Sequence, residues 1–346
     1  MANIMLIDAC NLQCPYCFAN EFVNRDRNEI SDESFYQISE FILSGHKNQR
    51  VGIIGGEPML HSNFDFLISE LASDNRVSEI VVFTNGTKLH EHSDICCHPK
   101  VRLLINCNSP ADIGQSQYDR MCKNIETLIV QKHIQDHMTL GINMYQPDFE
   151  YAYLLRLLLK YDFHCVRTSI TVPNMDSGRN TDPHEYFRSM KPSVMKFFRI
   201  LLSNDIVPFY DCNKLIPCLI TEEEQNELQY HLDRISKKGI RVKTNILGGC
   251  VSCDPVIDIR QDLTAVRCFG LSEWTKQSIA DYSSLEELQN HYNMHVDIFK
   301  HAVVNSASCI DCSHRKNFTC TGGCLTFKAK RLLDVDVFVV ERNLQP

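Results

Sequence analysis

Three cysteines near the start of the chain have the spacing to do chemistry. In Cys10-Asn-Leu-Gln-Cys14-Pro-Tyr-Cys17 they stand three and two residues apart, directly after the apolar run Ile4–Ile7. One loop with that spacing can wrap three thiolates around a cubane [4Fe–4S] cluster. Three protein ligands for four irons leave one iron open, and an open coordination position marks a catalytic metal site rather than a structural one. A structural zinc loop needs a fourth ligand close by, and the next cysteine is Cys96. The cluster reading is the stronger of the two.

A second cysteine field occupies the last third of the chain. Cys212 and Cys218 lie in the segment 206–220, and Cys250-x2-Cys253 follows a polar helical stretch over 222–237. Cys268 comes after a hairpin-like stretch over 254–267, and Cys309-x2-Cys312-x7-Cys320-x3-Cys324 ends the series. A lone Cys-x2-Cys pair is compatible with a zinc knuckle. The nine cysteines here exceed what one zinc ion takes. With 17 cysteines, an odd number, in 346 residues, the chain is too large to need disulfide staples, and in a reducing cytosol such usage points to metal. Cys107, Cys122 and Cys165 fall in apolar periodic segments and read as small core residues. Tyr210, Asp211 and Asp254 neighbour the tail cysteines, where acidic residues beside turns are most simply solvated caps.

The elements that must position these thiols alternate between β-rich apolar runs and amphipathic helical patterns, the signature of βα units on a parallel sheet. Strands are expected at 3–7, 50–54, 79–84, 101–106, 139–144 and 166–172. Helices are expected over 31–43, over the stretch carrying Phe64, Leu67, Ile68 and Leu71, over the stretch carrying Met121, Ile125, Leu128 and Ile129, and over 149–160 and 184–202. The fold class is therefore α/β, a partial (β/α)6 TIM-type barrel over 1–205 followed by a small cysteine-rich domain over 206–346. Active sites of such barrels lie at strand C-termini. Gly55-Gly56-Glu57-Pro58, Asn85-Gly86, Asn106, Asn108 and Ser109 all follow strands, on the rim that holds the cysteines. The polar loop 174–182 follows the sixth strand. The net charge of −8 leaves no basic face for a nucleic-acid backbone. No apolar run is long enough to span a membrane, and the N-terminus lacks a signal peptide's regions.

These motifs resemble the radical S-adenosylmethionine (SAM) enzymes. Cys10-x3-Cys14-x2-Cys17 is similar to their cluster motif, and Gly55-Gly56-Glu57-Pro58 to their second motif. The resemblance implies that SAM chelates the open iron through its amino and carboxylate groups and is cleaved to methionine and a 5′-deoxyadenosyl radical. It further implies Tyr16 against the adenine, backbone groups of Gly55, Gly56 and Glu57 on the SAM amino group with Pro58 closing that motif, and Asn106 or Asn108 on the ribose. Arg120 or Arg167 would pair the SAM carboxylate, as a guanidinium fork suits that anion.

The tail resembles the SPASM extension of that family, which implies one or two auxiliary iron–sulfur clusters. Cys253, Cys268 and Cys324 would share one, completed by Cys250, Cys212 or Cys218; Cys309, Cys312 and Cys320 would begin another. Three features depart from the pattern. The gap between Cys312 and Cys320 is long, Leu263 stands where the hairpin glycine is expected, and no cysteine follows Cys324. The second cluster must then borrow Cys212 or Cys218, use an oxygen ligand such as Asp334 or Asp336, keep an open iron, or be absent. The resemblance implies a cytoplasmic oxidoreductase that modifies a peptide or protein by thioether or carbon–carbon crosslinking, epimerisation or oxidation. In epimerisation Cys212 or Cys218 is the candidate hydrogen donor. Its reductant would be a flavodoxin or ferredoxin. Only nine residues precede Cys10, so a leader peptide would need a separate binding protein or a surface of this chain. A radical SAM dehydrogenase or isomerase of a small metabolite, and a non-catalytic iron–sulfur protein for electron transfer or scaffolding, are the alternatives.

Overall fold

The computed structural model describes residues 2–328 apart from 18, 21, 25, 172–181, 248–252, 254–255 and 305. Cys250, Val172, Asp254, Asp334, Asp336 and most of the polar loop 174–182 lie outside the described residues. Seven parallel strands run in chain order across one sheet: β1 Ala2–Met5, β2 Gln49–Ile54, β3 Val77–Thr84, β4 Val101–Asn106, β5 Met138–Met144, β6 Cys165–Ile170 and β7 Val207–Cys212. Strands covered on both faces need apolar residues on both, which is why these read as nearly continuous runs rather than alternations. Consecutive parallel order brings every strand C-terminus to one rim.

The six expected strands are present, and β7 is a seventh. Its sequence Val-Pro-Phe-Tyr-Asp-Cys disguises it, because proline cannot donate to a ladder and argues against a strand interior. At the sheet edge that objection disappears. Among the described strands β7 is terminal and pairs with β6, its outer edge meeting the Thr244 and Asn245 side chains.

The intervening helices turn apolar stripes onto the sheet. Asp32–Leu43 starts where the Ser31 side chain accepts the Ser34 N–H, and it buries Phe35, Ile38 and Ile42. Pro183–Ser203 is capped by Asp182 and buries Phe187, Met190, Val194, Phe197, Phe198 and Leu201. Among the described residues no helix is long and apolar enough to cross a membrane.

The tail is joined to this sheet rather than set beside it. β8 (Ile257–Ile259) pairs in parallel with β1, then β9 (Thr264–Val266) and β10 (Gln277–Ser278) follow antiparallel. One sheet therefore crosses the expected 205/206 boundary at both of its ends. Asn3 Nδ2 donates to Asp258 Oδ1 at 2.7 Å across the β1–β8 seam. Gly52 makes room for it, since a Cβ there would overlap the Asn3 side chain. Burial pushes Asp258 up to about 6, although it also accepts from the Phe269 N–H at 3.2 Å. Leu263 turns the β8–β9 hairpin at φ +60°, the left-handed conformation that glycine ordinarily supplies.

Candidate functional site

The rim is built from backbone inward. Gly56 N–H donates to Ile7 O and Glu57 N–H to Ala9 O, both at 2.8 Å, so the β2 loop lies flat on the start of the cysteine loop. A Cβ on Gly55 would stand 2.6 Å from Ile7 O, and one on Gly56 would overlap the Ala9 carbonyl. The glycines are required for loop-on-loop contact. The buried Glu57 carboxylate then ties β2 to β3, accepting from Met59 N–H at 3.2 Å, Thr84 Oγ1 at 2.8 Å and Asn85 N–H at 2.7 Å. Burial nonetheless raises its pKa to about 7. Asn85 Nδ2 continues the bracing by donating to Asn11 Oδ1 at 2.9 Å, and Asn11 Nδ2 donates to Thr87 Oγ1 at 2.8 Å.

Cys10, Cys14 and Cys17 are half-buried free thiols on this braced loop. Burial pushes Cys10 up to about 11 and Cys14 to about 12, with negative charge on neighbouring thiols adding to both, and burial also raises Cys17. Left alone at neutral pH they stay protonated; a cationic iron centre is what would draw off the protons. N–H donors already face the sulfur of Cys10, from Leu12 at 3.4 Å and Asn85 Nδ2 at 4.0 Å. Three thiols with outer-sphere donors and no disulfide fit an iron–sulfur cluster. Among the described residues no three His, Cys, Asp or Glu groups could hold one metal ion together. A cubane does not need them on one centre, because its thiolates sit on separate irons.

Beside the thiols, the Tyr16 hydroxyl donates to Asn108 Oδ1, and the Tyr16 ring lies 4.8 Å from that of Tyr145. Both aromatic rings line a cavity of about 140 Å³ with Ser109, Asp112, Asn143 and Tyr153. A polar row crosses the neighbouring strands. Arg167 Nη1 donates to Asn106 Oδ1 at 3.1 Å and Asn143 Oδ1 at 2.7 Å, and its Nε pairs with Asp211 Oδ2 at 3.0 Å. The Arg167 side chain is folded over Gly141, where a Cβ would stand 2.7 Å from its Cδ.

The tail thiols fall into two groups. Cys253 and Cys324 share a sulfur–sulfur hydrogen bond, with the charges of Cys212 and Cys268 acting on them. The Cys324 thiol, helped by Arg267, pulls Cys253 below the ordinary thiol range, and the same contact pushes Cys324 well above it. Arg267 is buried, donates to Cys253 O at 3.3 Å and is held by Asp297 at 2.8 Å. The second group, Cys218, Cys309, Cys312 and Cys320, lines a separate small void of about 20 Å³. The loop 320–324 rests on the barrel helix Pro183–Ser203, where a Cβ on Gly323 would meet Phe187 Cε2 at 2.9 Å.

Residues 4–129 match the sequence model of the family described as the Radical SAM superfamily. The chain carries a radical SAM domain. GTP 3′,8-cyclase of Staphylococcus aureus (strain JH9) is 31% identical over 150 residues, 41% of this chain and 43% of the relative. That of Clostridium perfringens (strain 13 / Type A) is 34% identical over 89 residues, 25% of this chain and 27% of the relative. The chain thus spans less than half the length of these curated relatives. Among solved structures, anSMEcpe with bound AdoMet superposes with a TM-score of 0.63 at 15% identity, covering 99% of each chain. SuiB of Streptococcus suis bound to precursor peptide SuiA gives 0.60 at 17% identity, covering 97% of this chain and 73% of that one. At these identities the likeness is one of fold, and it extends past the radical SAM domain through the tail.

The radical SAM domain gathers Cys10, Cys14, Cys17, Tyr16, Gly55, Gly56, Glu57 and Asn108 on one rim, with Pro58 opening the short 3-10 turn that follows. Arg120 is a correction. It is exposed on the helix Gln115–Val130, on the side away from the buried Tyr118, Met121 and Ile125. Of the two candidate arginines, Arg167 is the buried one. Cys107 is buried and Cys122 packs half-buried, as expected, but Cys165 is exposed because it opens β6 at the sheet margin. Asn11, Thr87, Asn143 and Arg267 went unnoticed in the sequence. An asparagine breaking the apolar run of β5 was the available signal for Asn143.

Proposed function

We propose that this protein cleaves SAM reductively and uses the resulting radical to modify a ribosomally made peptide or protein. Cys10, Cys14 and Cys17 would hold a [4Fe–4S] cluster with one iron left for SAM, and that group would supply the electron for reductive cleavage of the C5′–S bond. The observation that carries this reading is the contact between the three-thiol loop and the Gly55–Glu57 loop at the strand ends. Because the Gly56 and Glu57 amides are engaged by Ile7 and Ala9, the carbonyls of this stretch are the groups that would accept from the SAM amino group. The Tyr16 ring, fixed by Asn108, would flank the adenine. Asn106 and Asn143 would reach the ribose or carboxylate, and Arg167, oriented by Asp211, supplies the positive charge there.

Two features support a peptide substrate. The tail carries thiols enough for two further clusters, and the fold follows anSMEcpe and SuiB along nearly the whole chain. Structures of those proteins include anSMEcpe with bound AdoMet and Cp18Cys peptide, and SuiB with its precursor peptide. Flavodoxin or ferredoxin would serve as reductant, and the cytoplasm would protect so many thiols from oxidation. The relatives named GTP 3′,8-cyclase favour a small-molecule substrate as the second reading, but their match covers less than half the chain. The test is anaerobic reconstitution with dithionite, SAM and candidate peptides. The reading expects 5′-deoxyadenosine and a peptide mass change; 5′-deoxyadenosine stimulated by a nucleotide and by no peptide overturns the substrate assignment.

A further inference from the structure

The void that Cys218, Cys309, Cys312 and Cys320 enclose is reached from two distant parts of the chain. Cys218 stands in the short turn Pro217–Leu219 just beyond β7. Cys309 ends the turn Ala307–Cys309, and Cys312 opens the helical turn Ser313–Lys316. The Cys320 sulfur is aimed by the Gly322 N–H, which donates to it at 3.2 Å, where the chain doubles back through Gly322 and Gly323 at φ +85° and +96°. The remaining wall includes the apolar side chains of Ile216 and Val303.

Four free thiols around one void, whose wall also carries His314 and Arg315, are a ligand set. Cys320 is buried, Cys309 and Cys312 are half-buried and Cys218 is exposed, and none is in a disulfide. A single tetrahedral ion would need the four sulfurs crowded at about 2.3 Å from one centre. No three of the described cysteines, histidines or carboxylates are so gathered. The four sulfurs line one site without converging on a single centre, which is the demand of a cluster whose four irons each take one thiolate.

We propose that Cys218, Cys309, Cys312 and Cys320 together ligate one [4Fe–4S] cluster, its fourth thiolate coming from the barrel edge after β7 rather than from the chain beyond Cys324. This rests on reading the tail as an auxiliary-cluster domain and adds to it the coordination of the second cluster. Two consequences follow. A cluster with four protein thiolates has no open iron, so this one carries electrons and does not bind substrate. Cys212 at the end of β7 belongs to the other thiol group, so one short segment of the barrel edge braces both auxiliary sites.

The test uses the full-length protein, reconstituted anaerobically, with iron, sulfide and zinc assayed and EPR spectra recorded. C218A and C309A are each expected to lose about four irons per chain, or to convert the same cluster to a three-iron form with its own EPR signal. C96A, at a buried barrel cysteine outside both groups, is expected to keep wild-type iron. C218S, close in size to the native residue, repeats the C218A measurement if that variant fails to fold. The assignment is overturned if C218A and C218S keep wild-type iron and spectra while C309A does not. It is also overturned if the metal lost from C309A is zinc. The SAM-induced change in the first cluster's EPR signal is read in the same samples. Its absence from wild-type protein would count against the proposed function and not against this ligand set.

Discussion

The rim thiols and the tail thiols are held by different means. Cys10, Cys14 and Cys17 sit on one loop, and the main chain of a second loop fixes that loop through the Gly56 and Glu57 amides. The tail thiols come from segments as far apart as the end of β7 and the loop 320–324, and side chains and docked helices position them: Arg267 against Cys253, Phe187 under Gly323. A site whose ligands share a loop can leave one metal position open, because the loop alone defines the cage. A site assembled from several elements surrounds its contents. On the proposed reading the rim would do chemistry with an exchangeable ligand, while the Cys218 site would work as a closed carrier.

The sharpest way to break that contrast is to remove one thiol from each region. C14A is expected to lower 5′-deoxyadenosine formation by about 100-fold or more, since a cluster missing one of three thiolates no longer presents an open iron in place. C253A is expected to abolish peptide modification while SAM cleavage continues uncoupled. Equal loss of 5′-deoxyadenosine in the two variants, measured by mass spectrometry, would show that the regions are not separable.

Glycine substitutions test the backbone contact against the side-chain one. G56A forces a methyl group into the Ala9 carbonyl and is expected to destabilise by about 3 kcal/mol, with loss of iron from the first cluster. G323A presses on a phenylalanine ring that can shift, so denaturant unfolding should show a smaller loss despite its φ of +96°. A larger loss in G323A would reverse the ordering.

The two buried carboxylates compare the regions by pH. Glu57 braces the rim and Asp258 joins tail to barrel, and burial raises both, to about 7 and about 6 from ordinary values of 4.5 and 3.8. A raised acid favours the fold while protonated. The contribution is therefore complete below the unfolded pKa and is lost as pH rises through the folded one, by up to about 3 kcal/mol for each group. Unfolding free energies at pH 4.5, 6 and 7.5 should fall with rising pH. D258N should flatten the part of that fall between about pH 4 and 6, and an unchanged slope would contradict it. The smallest effect is expected at the hairpin: L263G should be more stable than L263A by about 1 kcal/mol, because both remove the leucine side chain and only glycine relieves the left-handed turn.

Local features were legible and assembled ones were not. The six early strands stood out because burial on both faces leaves continuous apolar runs. The rim motif was visible because its ligands are neighbours in sequence. β7 was hidden by Pro208, whose objection to a strand holds only away from an edge. Arg120 was a local error that periodicity could have prevented, since Tyr118, Met121 and Ile125 assign the opposite side of that helix to the core. The pairing of Cys218 with Cys309, Cys312 and Cys320 has no sequence signature, because the docking of a tail on a barrel edge makes it. Leu263, by contrast, was flagged from sequence as standing in a glycine's place, and its positive φ bears that out.

The central claim, that the Cys10–Cys17 loop presents an iron to SAM, is tested most directly by magnetic resonance on reduced, anaerobic protein given SAM labelled with 15N at its amino group. The account predicts that SAM shifts the first cluster's EPR signal and that the label couples to it, with both effects missing in C14A. A spectrum indifferent to SAM, or zinc bound at the three thiols, would contradict it.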